Sequence, residues 1–485
     1  MLINILILYP QNIRYKREIV WNKTRRKLTD KTIARRMADF ALELKYEDLP
    51  AEVIEEVKRY LYDSIGCAFG GYQDNDVKGL SDIYIDMGGK PEATLIGSGI
   101  KLPAANVTFL NSLMVRALDY NDIYWKDDPS HPSDIIPAAL AMGERQGSTL
   151  KEIIIAIVLA YEFEQRLCLY AKPGIRERKW HHATLTQFVS PIVAGRLLGL
   201  TAEQMENAIG ISGGHNFTPG AAAAGQLSMM KNTVDPMAVQ SGVIAALMAE
   251  KNYTGTKAIF EGKEGLNDIM GPGWDEEALL GGLGESFKIL ECSMKAFPTE
   301  ALTHSHITCA LKIVRDHDVK PDDIAEIKVT TIARAVDILF DSEKYNPKNR
   351  ETADHSLPYT IAAAVVDRKI TTDQFSDERI NDPVIRSVLP KIVGEASEEF
   401  EKMFPAKQPS KVVITLTDGS SFKAEVDYPK GDPREPMTQE DLDAKFESLT
   451  NKLMDDEKRE KIRSTIWNLE TLNSIEDLMN ELTVT

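Results

Sequence analysis

The sequence predicts a mainly α protein with a smaller α+β domain, and three observations carry that expectation. Capping sequences lead into apolar runs of helical period from about residue 30 to residue 270. Gly and Pro then cluster over 271–284, and strand signals begin after them. Beyond Pro436 the period is helical again, in a charged amphipathic run through Asp441, Phe446, Leu449 and Leu453. At 485 residues the chain is well above single-core size, which points to two domains.

The elements follow in order. Pro50 opens a helix whose Val53, Ile54, Val57, Leu61 and Ile65 share one face. Thr149-Leu150-Lys151-Glu152 and Thr201-Ala202-Glu203-Gln204 have the form of capping boxes, in which a threonine and an acid or amide satisfy the first orphan N–H groups. The helix after Thr149 is apolar nearly all round and is expected at the centre of a bundle. Ala238–Lys251 reads as another buried helix, its small residues allowing close contact. Phe287–Ser293 is a strand candidate, and Ile324–Ile332 alternates in part. Lys411–Thr417 and Ser421–Val426 flank Asp418-Gly419, a hairpin signal. Helical segments intervene near Leu302–Arg315 and Ala353–Val366. No internal repeat or low-complexity tract is present.

Composition narrows the function classes. A formal charge of −17 argues against a nucleic-acid partner, whose binding rests on neutralised phosphates. An anionic substrate would then need a local basic cluster in a cleft. Cys67, Cys168, Cys292 and Cys309 show no C-x-x-C spacing, which counts against zinc or an iron–sulfur cluster and suits buried thiols of a reducing compartment. The most apolar segment, Ile153–Tyr161, is far shorter than the roughly 20 residues of a membrane span. Residues 1–29 are an apolar stretch followed by a basic one, the reverse of a secretory signal. They read as a disordered extension, with a transit peptide as the alternative.

Two short stretches set ionisable groups beside a proline. One is Asp119-Tyr120-Asn121-Asp122 followed by His131-Pro132-Ser133-Asp134. The other is Ser293-Met294-Lys295-Ala296-Phe297-Pro298 followed by Thr303-His304. Proline disfavours helix in the residue before it, so His131 and Phe297 are expected in extended or turn geometry. Three readings are open for Asp119, Asp122, Asp127, Asp128, His131 and Asp134. They are a hard-metal site, a capped structural loop, and acid–base chemistry with His131 oriented by a carboxylate such as Asp119. The spacing matches no calcium loop and no two-histidine helix motif.

Of the adjacent His181 and His182, at most one is expected to face a site, because neighbours on a helix do not share a face. Lys231 and Lys295 are either surface lysines or ammonium groups aimed into a cleft. Lys295 lies near the expected domain junction, where ligand sites favour forming. Tyr359 is either a core aromatic or a proton donor. No G-x-S-x-G elbow, P-loop or dinucleotide fingerprint is present.

Taken together the motifs resemble the MmgE/PrpD family, which includes 2-methylcitrate dehydratase and cis-aconitate decarboxylase. The matching pieces run in order. They are the Asp119 segment, His131-Pro-Ser-Asp, His182 ahead of Leu198-Gly199-Leu200, Gly225-Gln226-Leu227-Ser228-Met229-Met230-Lys231 and Phe260-Glu261-Gly262-Lys263. Lys295-x-Phe-Pro, Thr303-His304 and Ala353-Asp354-His355-Ser356-Leu357-Pro358-Tyr359 complete the set. Ile123 stands where the family usually has threonine, and Asp134 looks more like the dehydratase branch than the decarboxylase branch.

The resemblance implies a large helical domain over 30–275, an inserted α+β lid over 276–430, and C-terminal helices over 431–485 that pack back on the helical domain. It implies a cytoplasmic homodimer, with the mitochondrial matrix as the second choice, and no metal or organic cofactor. The implied catalytic residues are Asp119, His131, His182, Lys231, Lys295 and Tyr359, with Asp122, Ser133 and His304 binding substrate. The implied reaction is dehydration of 2-methylcitrate or citrate by proton abstraction next to a carboxylate and loss of hydroxide. Decarboxylation or epimerisation of another polycarboxylate, and a non-catalytic binding protein of the same fold, are the alternatives.

Overall fold

Thr32 accepts a hydrogen bond from the Arg35 N–H and so starts the first helix, Ile33–Glu43. The computed structural model describes residues 31–224 and 227–484. The expected extension over 1–29 therefore lies outside the described residues, as do Gly225 and Gln226. The protein is mainly helical with a small mixed sheet.

The first core is built by helices. Pro50 caps Ala51–Tyr72, which buries Val53, Val57, Leu61 and Ile65. Thr149 starts Leu150–Tyr170 by accepting from Glu152 N–H. This helix is buried on every side from Ile153 to Cys168, which makes it the centre of the bundle. Thr201 and Gln204 form a reciprocal capping box ahead of Ala202–Ser212. Val234–Glu250 packs its small residues Ala238, Gly242, Ala245 and Ala246 against the neighbouring helices. Among the described residues no helix is long and apolar enough to cross a membrane.

That core continues through Leu279, Phe287, Ile289, Cys292 and Met294, then takes up Met437–Leu482. The Gly/Pro cluster at 271–284 thus lies within the first core and carries the short helix Glu276–Leu280, and the expected boundary at 275/276 falls at the start of that helix. The strand candidate Phe287–Ser293 is also corrected. Lys288–Glu291 is a short 3-10 helix whose spacing buries Phe287, Ile289 and Cys292. In the C-terminal helix Gln439–Thr450, Phe446 stacks on Tyr62 with ring centroids 4.4 Å apart.

The second core lies between Leu302 and Ala424. Its sheet centres on Ile324–Thr331, which pairs parallel with Ile392–Ala396 and antiparallel with Ser410–Leu416. Ser421–Val426 completes it through a hairpin turned at Asp418-Gly419, where Gly419 has φ 88°. A register shift between Ile324 and Glu326 explains why alternation there is only partial. Helices His304–His317 and Leu357–Asp367 pack against each other, and the first also covers the sheet.

Two contacts bring the motif segments together where the cores meet. Ile123 and Ser293 exchange both backbone hydrogen bonds at 2.9 Å, tying the Asp119–His131 loop to the strand-like start of the Lys295 segment. Lys445, buried on the C-terminal helix, donates to the carbonyls of Tyr120 at 2.7 Å and Lys295 at 2.9 Å and pairs with Asp63 at 2.6 Å. Gly431 approaches Met294 so closely that a Cβ would lie 1.9 Å from its carbonyl oxygen, which requires glycine there.

Candidate active site

Asp119 follows the last turn of the helix Ala104–Arg116, with φ 49°, a left-handed conformation uncommon outside glycine. Backbone held this way is over-determined by its surroundings, and here the surroundings are cations. Lys295 Nζ is 3.1 Å from Oδ1 and Lys231 Nζ is 3.6 Å from Oδ2. Arg116 pairs with Oδ1 as well, and His355 Nε2 lies 4.0 Å from Oδ2. Burial alone would raise the Asp119 carboxyl, but Lys231, Lys295, Arg116 and His355 overcome it and hold the group well below the usual carboxylate range.

A cavity of about 1040 Å³ opens over this cluster, walled by both cores. Asp119, His131, His182, Lys231 and Lys295 all line it. Five of the six expected catalytic residues therefore meet in one place. Ile123 lines it too and presents an apolar side chain to it.

His131 is oriented differently from expectation. Its Nδ1 lies 2.6 Å from the Asp122 carbonyl, not against the Asp119 carboxylate, so Nδ1 carries the proton and Nε2 the lone pair. Burial, together with Arg116, Lys295 and His182, holds the imidazole well below its ordinary pKa. Lys295 is likewise pulled down by burial, Arg116 and Lys231, against the opposing effect of Asp119.

The remaining expected residues sit elsewhere. Tyr359 belongs to the second core, fully buried, and donates its hydroxyl to the Gln374 carbonyl at 2.5 Å. It does not line the cavity. Asp122 accepts from Ser133 Oγ at 2.6 Å and from Ser133 N–H, fastening the turn at Pro132 from behind. Burial pushes the Asp122 carboxyl up to about 6. His304 faces the Thr299 carbonyl at 3.3 Å and packs on Phe297, and burial with Lys295 nearby lowers it to about 3. Asp128 accepts from the Ile175 and Arg176 N–H groups and is a structural cap.

Several lining residues were missed in the sequence. His355, whose Nδ1 pairs with Asp354, reaches the cavity from the second core. Glu300 lines it beside the Lys295 segment, and burial raises its carboxyl to about 7 against the pull of Lys295. Arg116 is buried beneath the cavity between Asp119, Asp134 and Asp235. Both His181 and His182 line the wall, because they precede the short helix Ala183–Thr186 and escape helical spacing. His181, His182 and Asp235 each offer one ligand atom within 4.8 Å, a geometry that could hold a metal ion. The Arg116 guanidinium 3.9 Å from Asp235 Oδ2 opposes a second cation there.

The MmgE/PrpD N-terminal domain model matches residues 35–278, and the MmgE/PrpD C-terminal domain model matches residues 297–471. The chain belongs to the MmgE/PrpD family. Among its relatives is a cis-aconitate decarboxylase of Aspergillus terreus (strain NIH 2624 / FGSC A1156), 25% identical over 473 residues. That match covers 91% of this chain and 94% of the relative. The cis-aconitate decarboxylase of Homo sapiens is 26% identical over 443 residues, covering 88% and 90%. The 2-methylcitrate dehydratase of Salmonella typhi is 23% identical over 416 residues, covering 81% and 84%.

Proposed function

We propose that this MmgE/PrpD protein is a lyase that dehydrates a small tricarboxylate, 2-methylcitrate or citrate, to the cis-aconitate-type product. The observation that carries this is the convergence of Lys231, Lys295 and Arg116 on Asp119 in a cavity that the neutral imidazole of His131 also lines. In an acidic protein this is the local basic cluster that a polyanion needs.

Removing a proton next to a carboxylate places extra negative charge on that carboxylate. Fixed cations act best where charge develops, and Lys231 and Lys295 suit that task. His131 Nε2, free and uncharged, accepts the proton. The hydroxide must leave as water, so it needs a second proton. Glu300, with its carboxyl raised to about 7, suits that donation at neutral pH. The proton count closes with one proton on His131 and one delivered to the departing water.

The test is purified protein with citrate, 2-methylcitrate and cis-aconitate, followed by ultraviolet absorbance for the unsaturated product and by carbon dioxide release. Dehydration without gas is expected. Carbon dioxide from cis-aconitate would move the reading to decarboxylation, and no turnover of any polycarboxylate would remove it. Activity is expected to survive dialysis against a chelator. The family resemblance also supports a homodimer with two equivalent sites, which light scattering checks.

A further inference from the structure

Behind His182 runs a line of buried polar groups that the reaction above does not use. Glu164 lies on the central helix, Thr186 ends the helix Ala183–Thr186, and Asp235 is in the first turn of Val234–Glu250. Each is at most 1% exposed. Thr186 Oγ1 stands 2.8 Å from Glu164 Oε1 and 3.2 Å from Asp235 Oδ1. A hydroxyl has one proton and can donate to one of two carboxylates. With both ionised, one buried oxygen would face a lone pair, so one acid must carry a proton of its own.

The surroundings decide which. Asp235 Oδ2 is 3.3 Å from His182 Nε2 and 3.9 Å from Arg116 Nε. Glu164 has no cation within ion-pair distance among the described residues, and its Oε2 has no hydrogen-bond partner. The titratable groups that act on it are Asp235 and Asp122, and both oppose its ionisation, as burial does. Asp134 and Cys168 lie near enough to feel its charge.

We propose that Glu164 is a neutral acid whose proton, passed as a hydrogen bond through Thr186, holds Asp235 ionised behind His182, so that Glu164 and Thr186 are positioning residues for that imidazole. Glu164 O–H donates to Thr186 Oγ1, Thr186 O–H donates to Asp235 Oδ1, and on the other side His182 Nε2–H faces Asp235 Oδ2 as the donor, 3.3 Å away. Neither ring nitrogen of His182 meets hydrogen-bond geometry among the described residues, and the 3.3 Å approach of Asp235 Oδ2 to Nε2 is what favours a proton on Nε2 and the lone pair on Nδ1. The bearing on turnover rests on the lyase reading of the cavity, whereas the position of the proton does not.

Infrared difference spectroscopy of the full chain at neutral pH tests the proton. Glu164→Gln is expected to remove one protonated-carboxyl band, and Thr186→Val to shift that band without removing it. An unchanged set of bands in Glu164→Gln overturns the proposal. Nitrogen NMR of labelled histidine should show His182 protonated at Nε2 in the wild type and in Glu164→Gln. It should show a mixed tautomer in Thr186→Val, and an Nδ1-protonated ring in the wild type overturns it. If a tricarboxylate is turned over, Thr186→Val should lose about tenfold in kcat, because it loosens an imidazole that lines the cavity, whereas Glu164→Gln is the conservative rescue and should keep near-normal kcat, its amide N–H still able to donate to Thr186 Oγ1. Lost activity in Glu164→Gln with normal activity in Thr186→Val would refute the positioning role. Absence of turnover in the wild type would sink the lyase reading and leave the two spectroscopic outcomes to decide the proton.

Discussion

Lys295 holds Asp119 at two points: its ammonium lies 3.1 Å from the carboxylate and donates to the same residue's backbone carbonyl at 3.0 Å. The lysine therefore both balances the charge and secures the left-handed backbone at Asp119. Lys231 approaches the other carboxylate oxygen at 3.6 Å. The two ammonium groups keep their places before any substrate arrives, and no reorganisation is needed when charge develops.

Lys295→Ala is expected to lower kcat by ~100- to 1000-fold, or roughly 2.7–4 kcal/mol, the cost of losing a comparable electrostatic donor. Because the lysine is buried, the variant should also lose stability, on the order of 3–5 kcal/mol for a broken buried pair. Steady-state kinetics on the folded fraction separates the two effects. A rise in KM with unchanged kcat would mean that the lysine binds ground and transition states equally.

His131→Gln keeps a side-chain amide able to reach the Asp122 carbonyl but removes the titrating ring. Its kcat should fall ~100-fold or more, with little change in melting temperature. Since burial and neighbouring cations depress the His131 pKa, the base is neutral well below the ordinary histidine range. The acid limb of kcat/KM assigned to it should accordingly lie below about pH 6.5, the unperturbed value. A variant with near-normal turnover would remove His131 from the chemistry.

Glu300 gives the opposite limb. A general acid must be protonated to act, so kcat/KM should fall as pH rises through about 7, where burial places this carboxyl. Glu300→Gln cannot donate and should be slow at every pH, without that limb. Persistence of the alkaline limb in this variant would assign the acid elsewhere.

Much of this site was legible in short sequences that put a charge beside a proline. Asp119, His131 and Lys295 lie on such segments, and backbone pairing between Ile123 and Ser293 joins them. Direction within a helix was not legible. Ser356 caps the helix Leu357–Asp367, so His355 falls before it and reaches the cavity while Tyr359 turns into the second core. The helical starts at Thr149 and Thr201 followed from local hydrogen bonding. Phe287–Ser293 misled because its apolar spacing suits a 3-10 turn as well as a strand.

That distinction between neighbours can be measured. Tyr359→Phe removes one buried hydrogen bond and should cost about 0.5–1.5 kcal/mol of stability, leaving kcat close to wild type. His355→Phe should leave stability closer to normal and reduce kcat, since the ring faces the cavity and Asp119. Reversed effects of the two substitutions would restore Tyr359 as the functional residue.

The stability of the folded chain should depend on pH through Glu164. Burial raises this carboxyl to about 8 from the ordinary glutamic-acid value of 4.5. Between those values the folded chain keeps a proton that the unfolded chain has released. Unfolding then sheds a proton, so the contribution of Glu164 to stability is complete below about pH 4.5 and declines as pH rises toward 8. The slope is about 1.4 kcal/mol per pH unit while the two states differ by one proton. Glu164→Gln has no proton to lose and should lack this component. Denaturant unfolding of both proteins from pH 5 to pH 8 should therefore show the variant gaining on the wild type with each unit. Parallel curves would mean that Glu164 has the same protonation in the folded and unfolded chain, and the neutral acid behind His182 would have to be given up.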